Sequence, residues 1–493
     1  MPVSMRMVKD VPVGSAAATT AEAAFKRGRI SHWDEVARMD DMWRPTGVGY
    51  HRRLASVYRN LVAPGLRVLE LGCGLGDLLA ALKPAHGVGV DLSPEMVARA
   101  SARHPGLTFV RQDAESLELE GTFDVVILSD LVNDLWDVQR ALERLRAVCH
   151  PGTRVLVNTH SRAWEYPLGI AERLGLARPV LRQNWFTLPD LENLLALAGF
   201  ETLRRFQDVL WPVATPILDS LCNRWLVKLW PFRHLALTNV LVARPAPNGD
   251  ARASSPLVSV VVPARNEAGN VPEIFARVPE MGRGTEIIFV EGHSRDDTRA
   301  AIERGILENP HRRARLYVQE GKGKGDAVRL GFAKATGEIL VILDADLTVR
   351  PEDLPRFVEA LLSRRGEFVN GVRLVYPMED RAMRFLNLLG NKFFSHAFSW
   401  LIGQRVKDTL CGTKVLWRSQ YERIAANRSY FGDFDPFGDY DLLFGAARQN
   451  LKIVDLPVRY GERKYGETNI QRFRHGLLLF RMVAFAARRL KFI

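Results

Sequence analysis

The sequence predicts two α/β domains in series, each with a mainly parallel sheet. Three observations carry this. The chain has 493 residues, more than one hydrophobic core usually serves. Short apolar runs alternate with helical patterns on both sides of a polar stretch, Ala243-Arg-Pro-Ala-Pro-Asn-Gly-Asp-Ala-Arg-Ala-Ser-Ser-Pro256. A glycine-rich turn follows the first strand of the first half, and a strand running into Asp-x-Asp lies in the second.

The polar stretch lacks periodicity and reads as a linker over 244–256. It divides a first domain, 31–243, from a second, 257–475. Residues 1–30, including the Ala- and Thr-rich run Val11–Ala24, are expected to be disordered. Residues 476–493 read as an amphipathic helix. No apolar run reaches the roughly 18 residues of a membrane span. Phe385–Gly403 and Gly476–Ile493 come nearest but are interrupted by Lys392, His396, Arg481, Arg488 and Arg489. Arg474, Arg481 and Arg488 recur every seven residues and share a helical face, the pattern of a helix lying in a bilayer interface.

Composition narrows the partners. Apolar residues make up 47% and charged residues 25%, an ordinary globular balance. The net charge of +12 favours anionic partners, namely nucleotides or phospholipid surfaces. Nucleic acid is not expected, because no compact basic stripe is interleaved with aromatics. Cys73, Cys149, Cys222 and Cys411 form no C-x-x-C pair, and no secretory leader pattern opens the chain, so a reducing cytosol is expected.

In the first half, Val68-Leu-Glu-Leu-Gly-Cys-Gly-Leu-Gly-Asp77 is a strand, a turn of alternating glycines and a helix start. Glycines serve where a backbone turns tightly and a ligand approaches it closely. Gly87-Val-Gly-Val-Asp91 is a second strand ending in an acid placed to take ribose hydroxyls. Leu107-Thr-Phe-Val-Arg111 leads to Asp113, placed to accept from an adenine amino group. A dinucleotide fingerprint wants Gly or Ala where this turn has Asp77 or Leu79. The E-x-G-x-G-x-G form with Asp91 and Asp113 instead resembles class I S-adenosylmethionine-dependent methyltransferases, over Leu54 to Ala243. Phe123–Asp130 and Pro151–Val157 match that family's fourth and fifth strands. The resemblance implies a Rossmann-like fold and S-adenosylmethionine held by Glu70, Gly72, Gly74, Gly76, Asp91 and Asp113. The methyl acceptor is not legible; Asn133, Asp134 and His160, with Tyr50 and His51, are candidates for its site.

In the second half, Val258-Ser-Val-Val-Val-Pro-Ala-Arg-Asn-Glu267 is a buried strand entering a polar turn. Ile287-Ile-Phe-Val-Glu291 is another, followed by Gly292-His-Ser-Arg-Asp-Asp-Thr298. Gly321-Lys-Gly-Lys-Gly-Asp-Ala-Val-Arg-Leu-Gly331 is a basic loop entering a helix, and Glu338-Ile-Leu-Val-Ile-Leu-Asp-Ala-Asp346 a strand ending in two acids. Side chains two apart on a strand share a face, so Asp344 and Asp346 are expected to meet one divalent cation, Mg²⁺ or Mn²⁺. Such an ion offsets the charge of a departing diphosphate. These motifs resemble glycosyltransferase family 2, in its dolichol-phosphate mannosyltransferase-like branch, over Val258 to Ile493. The resemblance implies a GT-A fold and a nucleotide-sugar site of Pro263, Asn266, Glu267, Glu291, Ser294, Asp296 and Lys324. It implies catalysis by Asp344, Asp346, Arg373 and Arg463, the arginines acting as phosphate clamps. Thr348 stands where the family often has a metal-binding Gln. Gly292, His293, Thr468 and Asn469 also depart from its pattern. Asp408-Thr-Leu-Cys-Gly-Thr-Lys414 and Arg463-Lys-Tyr-Gly-Glu-Thr-Asn469 resemble two further family segments.

Together the resemblances imply a bifunctional enzyme that joins a methyltransferase to a polyprenyl-phosphate glycosyltransferase. The donor would be a GDP- or UDP-sugar and the location the cytoplasmic face of the membrane, with peripheral attachment. An alternative acceptor is a sugar hydroxyl, with Asp439 or Asp441 as base; a non-catalytic nucleotide-binding scaffold is the other alternative.

Overall fold

The computed structural model describes residues 20–174, 181–247, 255–373, 385–427, 439–459, 461, 463, 465 and 472–492. The chain divides into two compact units, one running to Ala246 and also including Phe492, the other Pro247–Lys491.

The first unit holds a seven-stranded sheet in the order β3-β2-β1-β4-β5-β7-β6. Its strands are β1 (Arg67–Leu71), β2 (His86–Asp91), β3 (Thr108–Arg111), β4 (Phe123–Ser129), β5 (Cys149–His160), β6 (Phe200–Asp208) and β7 (Thr238–Pro245). The pairings from β3 to β5 are parallel, and β7 runs antiparallel between β5 and β6. Order reverses beside β1, so the crevice at the carboxyl ends of β1 and β4 is where such a sheet binds ligands. Val68, Leu69, Leu71, Val126, Ile127 and Leu128 are buried, as central parallel strands require.

The second unit repeats the principle with the order β10-β9-β8-β11-β13-β12-β14. Its strands are β8 (Val258–Ala264), β9 (Thr285–Glu291), β10 (Arg313–Val318), β11 (Ile339–Ile342), β12 (Phe368–Val372), β13 (Lys414–Trp417) and β14 (Ile453–Pro457). β13 is antiparallel to both β11 and β12. Its first residues therefore start beside the last residues of β11, with Val341 opposite Val415, and this brings the 408–414 segment to the end of the Asp-x-Asp strand.

Four expectations change. The segment expected to be disordered through residue 30 is helical from Thr20 to Arg38, and residues 1–19 lie outside the described residues. The linker is shorter than 244–256, because Arg244 and Pro245 end β7 and Pro256 accepts from Arg283 N–H; residues 248–254 lie outside the description. Strand β11 stops at Ile342, so Asp344 and Asp346 sit in the following turn and strand alternation is not what orients them. The C-terminal helix begins at Arg472 and buries Leu479, Met482 and Ala486 against Phe394, Phe398 and Leu401 of the helix Phe385–Ile402. Leu479, Met482 and Ala486 thus face the core of their own unit, while Phe480 on the same helix stays exposed. The side chains of Arg474 and Asp439 lie outside the described residues, as do Thr468 and Asn469.

Candidate active sites

In the first unit the glycine turn leaves β1 with left-handed backbone at Gly72 (φ 67°), Gly74 (φ 52°) and Gly76 (φ 74°). A Cβ at Gly72 would strike Leu131 and one at Gly76 would strike Phe109, so these two permit close packing. A Cβ on Gly74 would meet nothing within 4 Å, so open space lies over this residue, as a bound nucleoside cofactor needs. Asp91, at the end of β2, accepts Gly74 N–H and Ser93 N–H at 2.9 Å each and ties the turn to the second strand. It stays partly exposed. This cradle fits S-adenosylmethionine.

Glu70 ends in the same place with a buried carboxyl whose Oε2 has no hydrogen-bond partner among the described residues. Burial pushes its pKa up to about 8; the Leu79 N–H opposes this and Asp91 reinforces it. An acid whose folded pKa is raised binds its proton more tightly in the folded chain. Its stabilising effect is present below the ordinary value of 4.5 and is lost as pH rises toward about 8. Glu70→Gln is expected to flatten this part of the pH–stability curve. Hydrogen-exchange protection of β1, followed across that window, tests it; a slope unchanged by the substitution would contradict it.

Asp113 lies where expected but is already engaged. Its Oδ2 is 2.6 Å from Lys26 Nζ, and its Oδ1 accepts Glu115 N–H at 2.9 Å. Lys26 comes from the N-terminal helix. Trp33 of that helix donates to Asp134 at 2.6 Å, Arg29 lies 3.3 Å from Asp134, and Asp34 accepts from the Ser93 hydroxyl. An adenine contact at Asp113 must share or displace Lys26. Sequence reasoning missed this helix, although Glu22 and Lys26, four apart and 2.7 Å from each other, are the kind of pair that supports one.

The acceptor candidates now separate. Asn133 is buried and structural: it accepts from the Thr159 hydroxyl at 2.6 Å and donates to Asn184 O at 2.7 Å. Asp134 is held by the N-terminal helix. His160, at the end of β5, places Nε2 3.8 Å from Asp130, which also accepts from Tyr50 (2.8 Å) and Asn158 (2.6 Å). His160 Nδ1 has no hydrogen-bond partner among the described residues. A carboxylate behind an imidazole is an arrangement that can hold and move a proton.

In the second unit, elements that end at one sheet edge assemble a charged site. Asp344 Oδ1 is 2.6 Å from Lys324 Nζ, at the start of the helix Lys324–Lys334. Burial alone would raise the Asp344 pKa, but the charges of Lys324, then Lys414 and Arg373, hold it below the ordinary carboxylate value. Gly412 borders this pair: a Cβ there would lie 2.0 Å from Asp344 Oδ2 and 2.3 Å from Lys324 Nζ. Asp346 accepts from Arg463 at 2.6 Å and from the Thr348 hydroxyl at 2.7 Å. Arg463 also reaches Glu267 at 3.1 Å. Burial pushes the Glu267 pKa up to about 7; Arg463 opposes the shift and Asp346 reinforces it.

Arg373 presents its guanidinium to Asp408 at 2.7 and 2.9 Å. This paired geometry matches the bidentate contact expected with phosphate, so a phosphate must compete with Asp408. Lys414 is wholly buried and donates to Cys411 O. Asp441 is buried, which argues against its use as a base on a sugar hydroxyl.

The remaining nucleotide-sugar candidates form one linked turn. Pro263 is the penultimate residue of β8, and Asn266 has left-handed backbone (φ 57°). Asn266 N–H donates to the Ser294 hydroxyl at 3.1 Å, and Asn266 Oδ1 accepts Arg295 N–H at 2.8 Å. Glu291 accepts Ser294 N–H at 2.5 Å, and Asp296 accepts Ala268 N–H at 3.3 Å. Tyr465 donates to Asp296 at 3.3 Å. Among the described residues no group of three or more His, Cys, Asp or Glu is arranged to hold a metal ion. Two carboxylates of hard oxygen donors nevertheless fit Mg²⁺ or Mn²⁺, which complete their shells with water and substrate phosphate.

Two crevices of this kind, each at the carboxyl edge of a parallel sheet and each suited to a nucleoside-bearing molecule, define a two-domain group-transfer protein. Residues 49–204 match the family described as Methyltransferase domain, and residues 259–424 match Glycosyl transferase family 2. The chain joins an S-adenosylmethionine-dependent methyltransferase domain to a family 2 glycosyltransferase domain. A Pseudomonas aeruginosa protein named undecaprenyl-phosphate 4-deoxy-4-formamido-L-arabinose transferase is 29% identical over 231 residues, 46% of this chain and 64% of that protein. The glycosyltransferase AglJ of Haloferax volcanii is 26% identical over 225 residues, 45% of this chain and 69% of that protein. The chain thus spans just under two thirds of the first relative's length. Among solved structures, glucosyl-3-phosphoglycerate synthase from Mycobacterium tuberculosis is 21% identical, with 49% of this chain and 82% of that chain covered. Its TM-score of 0.36 carries no weight for the site.

Proposed function

We propose that the second domain transfers a sugar from a nucleoside diphosphate donor to a polyprenyl phosphate at the cytoplasmic membrane face, to which the protein attaches peripherally. We propose that the first domain methylates an acceptor from S-adenosylmethionine. The observation that carries the first reading is the edge where Asp344 and Asp346 face Lys324 and Arg463. When bound, a divalent cation would supply Lewis-acid stabilisation of the leaving diphosphate, with Asp344 and Asp346 holding it. Lys324 and Arg463 already sit on those carboxylates and stand ready to meet phosphate oxygens. Glu267 holds Arg463 at the site, and Asp408 orients Arg373 beside it. A phosphate monoester has a second pKa of about 6 and is largely ionised at neutral pH, so this acceptor needs no general base. The buried Asp441 is consistent with that. Undecaprenyl-phosphate transfer in the Pseudomonas aeruginosa relative's name supports the same acceptor class.

Labelled UDP- or GDP-sugar, incubated with the chain and polyprenyl phosphate vesicles, is expected to yield an acid-labile sugar-phospholipid. EDTA is expected to abolish both this product and donor hydrolysis, and Mn²⁺ or Mg²⁺ to restore them. A water-soluble glycan product, or EDTA-resistant transfer, contradicts the reading.

A further inference from the structure

The segment between β6 and β7 turns a large amount of apolar surface outward. Ile217 is 84% exposed and Trp230 75%, and Trp211, Val213, Leu221 and Leu235 are also exposed. Beside it, the helix Glu165–Arg173 and the residue after it expose Tyr166, Ile170 and Leu174. These three are four residues apart and form one stripe. Trp164 Nε1 donates to Leu235 O at 2.8 Å and joins the two stretches.

This surface is held from beneath by polar anchors. Asn223 is buried, accepts Leu210 N–H and Trp211 N–H at 2.8 Å each, and donates to Trp211 O at 2.6 Å. The buried Asp208 accepts from Arg53 at 2.7 Å and pairs with Lys228. The apolar side chains are therefore presented by a fixed scaffold. Contiguous apolar surface of this kind marks an interaction site.

We propose that this face of the methyltransferase domain docks on an anionic lipid bilayer. Tryptophan and tyrosine favour the membrane–water interface, where an apolar ring and a polar edge are both satisfied. Arg162, Arg173, Arg224 and Arg233 are exposed on the two stretches, whereas their carboxylates Glu165, Glu172 and Asp219 are half-buried. The arginines complement anionic headgroups. A second copy of the chain on the same face is the competing occupant, and the oligomeric state of the wild type and the doubles separates it from a bilayer. Among the described residues no helix is long and apolar enough to cross a membrane. The proposal stands apart from the identity of the sugar acceptor.

The test uses the full chain and flotation with vesicles of phosphatidylglycerol and phosphatidylethanolamine, against vesicles of phosphatidylcholine. The wild type is expected to partition onto the anionic vesicles, less so at high salt. The doubles Ile217→Asp/Trp230→Asp and Tyr166→Asp/Ile170→Asp are each expected to lower that partition at least about tenfold. Phe480→Asp, on the C-terminal helix, is expected to change it little. Unchanged partition in both doubles, equal binding to phosphatidylcholine, or a wild-type dimer that the doubles convert to monomer each overturns the proposal. Sugar transfer to polyprenyl phosphate in detergent is expected to persist in the doubles. Its absence from the wild type as well would refute the transfer reading and leave the docking result standing.

Discussion

Asp344→Asn and Asp346→Asn are each expected to lower sugar transfer by about 1,000-fold, roughly 4 kcal/mol of transition-state stabilisation. Both substitutions keep side-chain volume and remove a charge. Asp344 loses its attraction to Lys324, and Asp346 loses Arg463. All four groups are at least partly exposed, so the fold is expected to survive with little change in thermal unfolding. Gly412→Ala gives an independent route to the same loss, because its Cβ would occupy the space of Asp344 Oδ2 and Lys324 Nζ. Measuring labelled sugar in the lipid phase, at saturating Mn²⁺, decides the matter. Activity near wild type in either Asn variant would remove the carboxylate pair from the mechanism.

Asp91→Ala is expected to weaken S-adenosylmethionine binding by about 100-fold, or roughly 2.7 kcal/mol. The carboxylate is placed to accept from ribose hydroxyls, and a hydrogen bond to a charged group contributes about 1.5–3 kcal/mol. It also anchors Gly74 N–H and Ser93 N–H, so the cradle itself loosens when it is removed. Calorimetry with S-adenosylhomocysteine on the full chain measures the change. Tight NADH binding by the wild type would show the cradle to be a dinucleotide site. Lys26→Ala serves as a contrast: it frees Asp113 of its cation and leaves Asp91 untouched.

Much of the site was legible because it is local. Glycines at alternate positions, a strand followed by an acid, and a basic loop entering a helix each have their meaning within about ten residues. Asp91 was read from its position at the end of a strand as a ribose contact; the structure shows it accepting Gly74 N–H and Ser93 N–H of the glycine turn and its neighbour. Other features came from contacts between distant segments. Lys26 meets Asp113 across 87 positions of chain, and Gly412 borders an aspartate 68 positions earlier. The apolar stretch 211–235 also escaped the reading, because its aromatic residues are spaced as an ordinary core helix or loop would space them. Only burial distinguishes an exposed tryptophan from a buried one.

By itself the sequence determined that there are two α/β domains and which acids and glycines stand at or just after strand ends, but it missed the helix that opens the first domain. The legible features follow from apolar periodicity and from the backbone demands of tight turns, which act over short distances. The tertiary structure decided which partner each charge has. It set Asp344 against Lys324, Asp346 against Arg463 and Arg373 against Asp408, and it turned the C-terminal helix inward while leaving the surface before β7 facing out. An ion pair or a buried face depends on how separate elements pack, and the pairing of β13 between β11 and β12 that brings the 408–414 segment to the site is a long-range event.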